Sequence, residues 1–398
     1  MVTQLLKVDA QSPQSLKIEV ELWAAQLKAV HTRIARRFAR AEPRQRVLAY
    51  LKGLLSNCTR KNGWQLAEIM GELTPDGVQR LLSSAKWDAD EVRDDLHSYV
   101  VDHLGDSSAI GVLDETGFLK QGKKSVGVKR QYSGTAGRVE NCQIGVFLGY
   151  ATNKGFAFLD REIYLPQEWA NDQQRREEAL VPESVKFATK PQLARVMLER
   201  ARAAKVSLAW VTADTVYGND RHLREFLEEN EQAYVLAVAC SQRVWIDGST
   251  GSVQVPVEQL IAELPAETWQ RLSCGQGSKG PREFDWAWIE LVSGQQSPWS
   301  RWLLARRKLF DPTQLAYFIV FAPSGTSVSE AVRVAGARWN IEMGFEVTKD
   351  QLGLDHYEVR SWRAWYRHVT LVLLAHAMLS VIRAQSLVAE DKKGAVAS

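Results

Sequence analysis

Apolar positions recur every three or four residues through the first hundred residues, and the spacing then shortens to alternation. Leu22, Trp23, Leu27 and Val30 form one such series; Val47, Leu48, Tyr50, Leu51 and Leu54 a second; Trp64, Leu66, Ala67 and Met70 a third. This rhythm predicts several helices over 18–105. Thr74-Pro75-Asp76-Gly77 reads as a helix start, with Thr74 as N-cap and Pro75 in the first turn. From residue 109 the pattern predicts strands: 109–114 closes on Asp114, and 141–152 and 155–165 flank the turn 152–155. A helix over 190–205, a strand over 207–214 closing on Asp214, a helix over 219–229 and a strand over 233–238 follow. Residues 240–325 interrupt this order with a Trp-rich, alternating block, and 362–384 returns to helix.

Composition narrows the class without deciding it. A chain of 398 residues with 45% hydrophobic residues has material for two or three packed units of a soluble protein. The apolar run 369–382 contains His376 and is too short to span a bilayer, so a buried helix is expected and a membrane is not. No charged start with an apolar core and cleavage site opens the chain, so secretion is not expected. Cys58, Cys142, Cys240 and Cys274 lack any CxxC spacing, which argues for a reducing cytosol and against a structural zinc site. The net charge of +3 discriminates little, but its distribution is uneven. Arg33, Arg36, Arg37, Arg40, Arg44 and Arg46 crowd one stretch, and 88–106 is acidic. The arginine run reads equally as a phosphate-contacting face or as a helix surface paired with that acidic segment.

The candidate chemistry lies in Asp114, Asp214 and the stretch Arg338-Trp339-Asn340-Ile341-Glu342, continued to Lys349. At about 100° per residue, Arg338, Glu342 and Lys349 fall within roughly one 40° sector of a helix, which sets a carboxylate between two cations. Three strands, helix, strand, helix, strand is the ribonuclease-H-like order, in which adjacent central strands bring their terminal acids together. The expected fold class is therefore α/β: a ribonuclease-H-like mixed sheet with a β-rich insertion, preceded by an all-helical domain. Its expected parts are a helical DNA-binding domain (1–106), the catalytic domain (107–239), the β-strand insertion (240–326), C-terminal helices carrying Glu342 (327–384) and a flexible tail (385–398). Three converging carboxylates repel unless neutralised, so the trio suits two Mg²⁺ ions about 4 Å apart, with Mn²⁺ as a substitute. Glu115, turned from Asp114 by strand alternation, and Glu346, one turn beyond Glu342, are the competing acids. Asp160 and Glu162 are expected at the surface.

Arg338-x3-Glu342-x6-Lys349 matches the end of the Y-x2-R-x3-E-x6-K signature of DDE insertion-sequence transposases. Leu113-Asp114-Glu115-Thr116-Gly117, Arg130-Gln131-Tyr132-Ser133-Gly134-Thr135, Asp214-Thr215-Val216-Tyr217-Gly218 and Gly353-Leu354-Asp355-His356-Tyr357 resemble the insertion sequence 701 family. The likeness extends to Trp64-Gln65-Leu66-Ala67-Glu68 and Thr74–Leu82, and so covers most of the chain. The signature Tyr would fall at 335, which is Ala335, leaving its phosphate contact to be supplied by Tyr217 or Trp339. The resemblance implies a cut-and-paste transposase of the bacterial cytosol and nucleoid, with Asp114, Asp214 and Glu342 as metal ligands. It further implies double-stranded DNA partners, both transposon ends and target, held by a homodimer.

Arg338 and Lys349 would hold phosphodiester oxygens. The run Lys120 to Arg138, with Lys123, Lys124, Lys129, Arg130 and Arg138, would clamp the DNA backbone beside Asp114, and Arg36, Arg37 and Arg40 would contact DNA from the helical domain. One insertion tryptophan among Trp245, Trp269, Trp286, Trp288, Trp299 and Trp302 is a candidate base stacker. Gly275–Gly280 fits GxGxxG but lacks the following helix, and reads instead as a cationic loop. The alternatives are a ribonuclease-H-like nuclease or resolvase without strand transfer, and a domesticated DNA-binding regulator.

Overall fold

A computed structural model describes residues 13–248, 251–277, 280–292 and 297–396. Five helices come first: α1 (Pro13–Ala35), α2 (Ala41–Leu55), α3 (Gly63–Ile69), α4 (Asp76–Ser83) and α5 (Ala89–Leu104). The N-cap of α4 is Pro75 and not Thr74. The Thr74 hydroxyl donates to the Asp76 carboxylate (3.0 Å) instead of accepting from the backbone, which moves the helix start one residue on.

Next come β1 (Ile110–Leu119), β2 (Lys129–Ser133), β3 (Arg138–Thr152) and β4 (Gly155–Tyr164), then α6 (Gln167–Ala170), α7 (Gln173–Glu178) and α8 (Lys190–Ala203). A capping box between Thr189 and Gln192, with Pro191 in the first turn, opens α8. β5 (Trp210–Ala213), α9 (Thr215–Gly218), α10 (Arg221–Glu229) and β6 (Ala233–Val238) complete the central fold. β1, β5 and β6 run parallel, and β3 and β4 extend the sheet antiparallel on the other side of β1. The result is a mixed sheet of ribonuclease-H-like order.

The insertion opens with the separate hairpin β7 (Arg243–Gly248) and β8 (Gly251–Pro256), followed by α11 (Val257–Ala262). β9 (Gln270–Gly277), β10 (Gly280–Leu291), β11 (Trp299–Arg307) and β12 (Leu315–Pro323) then join the central sheet, because β12 pairs antiparallel with β6. β6 is thus an internal strand with no free backbone edge. Ser278 and Lys279, in the expected cationic loop, lie outside the described residues.

The chain ends in α12 (Val328–Ala337), α13 (Trp339–Asp350) and α14 (Trp362–Val396). A single helix was expected through 337–349, but α12 and α13 meet at Arg338. The Arg282 guanidinium donates to the Gly336 carbonyl (3.0 Å), which competes for an acceptor that a continuous helix would use. α14 runs past residue 385, where a tail was expected, since no proline follows Ala384 and the only glycine beyond it is Gly394. Its segment Trp362–Val388 has the length and mean hydropathy (1.7) of a membrane span, but most of it is buried in the protein. The long apolar helix is the core of the fold.

That core is continuous, joining α1–α5, the sheet and α14 in one cluster. Within it Asp160 and Glu162 on β4 are buried, contrary to the surface position expected from their polarity. Arg161, between them in sequence, is wholly enclosed and donates to Asp90 of α5 (2.9 Å), Thr370 of α14 (2.9 Å) and Asp160 (3.3 Å). Arg200 of α8 meets Asp160 (2.9 Å) and Glu162 (2.5 Å), and the Tyr366 hydroxyl donates to Glu162 (2.5 Å). Charges removed from water persist only when paired in this way. The strand alternation of β4 does not reveal it, because partners on α5, α8 and α14 are distant in sequence.

Candidate active site

The parallel ladder between β1 and β5 pairs Val112 with Thr212 and Leu113 with Ala213. Asp114 and Asp214 occupy the next position on each side and so lie next to one another. β5 ends there, whereas β1 continues to Leu119, which places Asp114 within a strand and not at its end. Asp214 is the N-cap of α9, and its Oδ1 accepts from the Val216 N–H (2.9 Å). Asp114 Oδ1 accepts from the Glu115 N–H (2.8 Å).

Glu342, in the first turn of α13, reaches this pair through Arg338. One guanidinium nitrogen of Arg338 donates to Asp114 Oδ2 (3.2 Å) and the other to Glu342 Oε1. Lys349, at the far end of α13, donates to the Gly117 carbonyl (3.2 Å) and the Thr135 hydroxyl (2.8 Å). This ties the β2–β3 turn and β1 to the C-terminal end of α13. Glu346 is exposed on α13 and makes no ion pair among the described residues.

Burial pushes the Asp114 carboxyl up to about 7, against the pull of Arg338 and with the repulsion of Asp214 and Glu115. Asp214 is raised by burial and by Glu115. One guanidinium therefore does not compensate the negative charge gathered here. Carboxylate oxygens are the hard donors that Mg²⁺ and Mn²⁺ take, and Asp114, Asp214 and Glu342 fit such an ion by chemistry. Among the described residues no three acidic, His or Cys side chains already form a chelating group. The Arg338 guanidinium bridges one oxygen of Asp114 and one of Glu342.

Sequence reasoning did not find the role of Glu115. It points toward α8 and α9, where its two oxygens accept from Lys190 Nζ (2.6 Å) and the Tyr217 hydroxyl (2.7 Å). This corrects the expectation for Tyr217: its ring is fully buried and its hydroxyl engages Glu115, so it is not turned to a phosphate. Val216 and Tyr217 sit in one turn that lies on β6 by virtue of Gly218. A Cβ at Gly218 would lie 1.8 Å from the Ala237 carbonyl oxygen. Gly218→Ala is therefore expected to destabilise the fold by about 1–3 kcal/mol through overpacking. Urea unfolding measures this, and an unchanged midpoint would overturn it.

The other cations are differently placed. Arg37 is half-buried and grips Asp95 of α5 through Nε (2.8 Å) and a terminal nitrogen (2.9 Å), with Glu91 at 3.5 Å. Arg36 also meets Asp95 (2.8 Å), and Arg33 meets Asp102 (2.6 Å). The arginine run thus faces the acidic segment, and Arg37 is not free for a phosphate. Arg40 is exposed and makes no ion pair among the described residues.

In the hairpin, Lys123 and Arg130 are exposed, Lys124 lies 3.6 Å from Glu178, Lys129 2.6 Å from Glu168 and Arg138 2.8 Å from Glu140. Lys120 turns inward, over the Tyr357 ring and onto the Tyr357 carbonyl (3.0 Å). Of the insertion tryptophans, Trp286 and Trp302 are buried, Trp288 stacks on Trp302, Trp299 stacks on Phe321, and Arg307 lies over Trp269. Trp245 alone of these six is exposed.

The sequence matches the family described as DDE superfamily endonuclease over residues 33–280, which include Asp114 and Asp214. It matches the transposase DDE domain over 188–378, which include Asp214 and Glu342. It is 25% identical, over 77% of its own length and 75% of the relative's, to a probable transposase for insertion sequence element IS701 of Microchaete diplosiphon. Two acids adjacent in register, a third acid on a helix and these matches together assign the family: the chain belongs to the DDE superfamily endonucleases.

Proposed function

We propose that the protein is a cut-and-paste transposase that frees the 3′ ends of its element and joins them to target DNA. The observation that carries this reading is the register of β1 and β5, which sets Asp114 beside Asp214 within reach of the helix bearing Glu342. Asp114, Asp214 and Glu342 would hold two Mg²⁺ ions, which activate the attacking water or 3′-hydroxyl and stabilise the leaving oxygen. Arg338, released from Asp114 and Glu342, has a planar fork suited to two phosphodiester oxygens. Lys349 adds a second cation beside the β2–β3 turn. Of the cations expected to meet DNA, Lys123, Arg130 and Arg40 are exposed and without ion-pair partners among the described residues, and so are available to backbone phosphates. Two copies of the chain, each holding one end, would make the complex.

The test is an assay with Mg²⁺, a labelled duplex carrying the element's terminal repeat and a supercoiled target, run with wild type and Asp214→Ala. Joined products that vanish in the variant are expected. Cleavage without joining would replace the reading with a nuclease, and end binding without cleavage in either protein would replace it with a DNA-binding regulator.

A further inference from the structure

Asp114 and Asp214 must keep a fixed separation, yet the backbone ladder between their segments stops one residue short of them, at Leu113 and Ala213. Beyond that point β1 continues paired with β3 only, and Asp214 begins the single turn α9. Among the described residues, one side-chain hydrogen bond ties this turn back to β1 beyond the acids. It runs from the buried Tyr217 hydroxyl to Glu115 Oε2 (2.7 Å). Glu115 follows Asp114 directly, and Tyr217 lies three residues after Asp214, so the bond joins the two acid-bearing segments. The other Glu115 oxygen is held by Lys190 Nζ (2.6 Å) at the start of α8. Gly218 seats the same turn on β6 from below.

We propose that Tyr217, Glu115 and Lys190 are positioning residues which set the mutual geometry of the Asp114 and Asp214 carboxylates, and through it the affinity for a divalent cation. Charge and reach both support the assignment. A carboxylate beside two others repels them, and Lys190 offsets that charge at the oxygen facing away from Tyr217. With both oxygens engaged, Glu115 acts as a strut and not as a further ligand. Groups that orient metal-binding side chains in this way govern affinity although they never touch the ion. The inference rests on reading Asp114 and Asp214 as cation ligands.

The test is Mn²⁺ titration of the full-length, metal-free protein, followed by the electron paramagnetic resonance of free Mn²⁺. Tyr217→Phe keeps the ring and removes only the hydroxyl, and Glu115→Gln keeps the shape and removes the charge. Each is expected to raise the Mn²⁺ Kd about 10–100-fold, the range for lost orienting partners. The double variant is expected to bind no more weakly than the worse single one, because both break the same strut. An unchanged Kd in Tyr217→Phe, or a lower melting temperature without a change in Kd, would overturn the inference, as would additive losses. Asp114→Asn separates the two readings: if wild type binds Mn²⁺ and this variant binds it equally well, the ligand assignment fails and the inference falls with it.

Discussion

Glu342→Gln is expected to lower the rate of strand cleavage and joining by about 10³-fold, while Glu346→Gln changes it less than about threefold. The large figure corresponds to the several kcal/mol of transition-state charge stabilisation that a held metal ion supplies, at 1.36 kcal/mol per tenfold. Glutamine preserves the size of Glu342 and can still accept from Arg338, so packing between α13 and β1 is retained. The two acids are one helical turn apart, but only Glu342 is joined through Arg338 to Asp114. Single-turnover assays on a labelled end duplex measure both variants. A larger loss in Glu346→Gln would move the third ligand to that position.

The second large effect is on stability and runs the other way. In the metal-free protein the Asp114 carboxyl is raised to about 7, chiefly by burial, with Asp214 and Glu115 adding repulsion that Arg338 only partly offsets. A folded-state value above the unfolded one means that the folded protein holds a proton which the unfolded chain releases. That stabilisation is complete below the unfolded value near 4 and is lost as pH rises through about 7. Asp114→Asn removes the buried charge, so at pH 8 in chelator the variant is expected to be more stable than wild type, by on the order of 2–4 kcal/mol. The gain should shrink on acidification and be gone near pH 4. Denaturant unfolding across this range checks it, and a variant less stable than wild type at pH 8 would refute it. A group that destabilises the fold where it is ionised is kept for what it does when ionised.

Much of this arrangement was legible in the sequence because it depends on local pattern. The apolar runs ending at Asp114 and Asp214 identify parallel neighbours, and parallel neighbours in register put successive residues side by side. The spacing of Arg338 and Glu342 likewise predicts their contact, although Arg338 sits at the junction of α12 and α13 and not inside one helix. What was not legible depends on which surfaces meet. Alternation correctly turns Glu115 from Asp114, but nothing local states that Tyr217 and Lys190 wait on the other side. Asp160 and Glu162 look like surface residues until Arg200 and Tyr366 are set beside them. The arginine run was open between two readings, and the position of α5 decided Arg37 by supplying Asp95 and Glu91. Strand periodicity found the insertion but not its edge partner, since pairing of β12 with β6 spans about eighty residues of intervening chain.

The enclosed guanidinium of Arg161 has a consequence for how this protein can be shortened. It is held by α5 on one side and α14 on another, so the N-terminal helices and the catalytic sheet share one cooperative unit. A truncated copy lacking the first hundred residues would strip Asp90 from Arg161 and bare the flank of α14. Such a fragment is expected to expose that apolar flank and to lose cooperative folding, so neither end of the fold stands without the other.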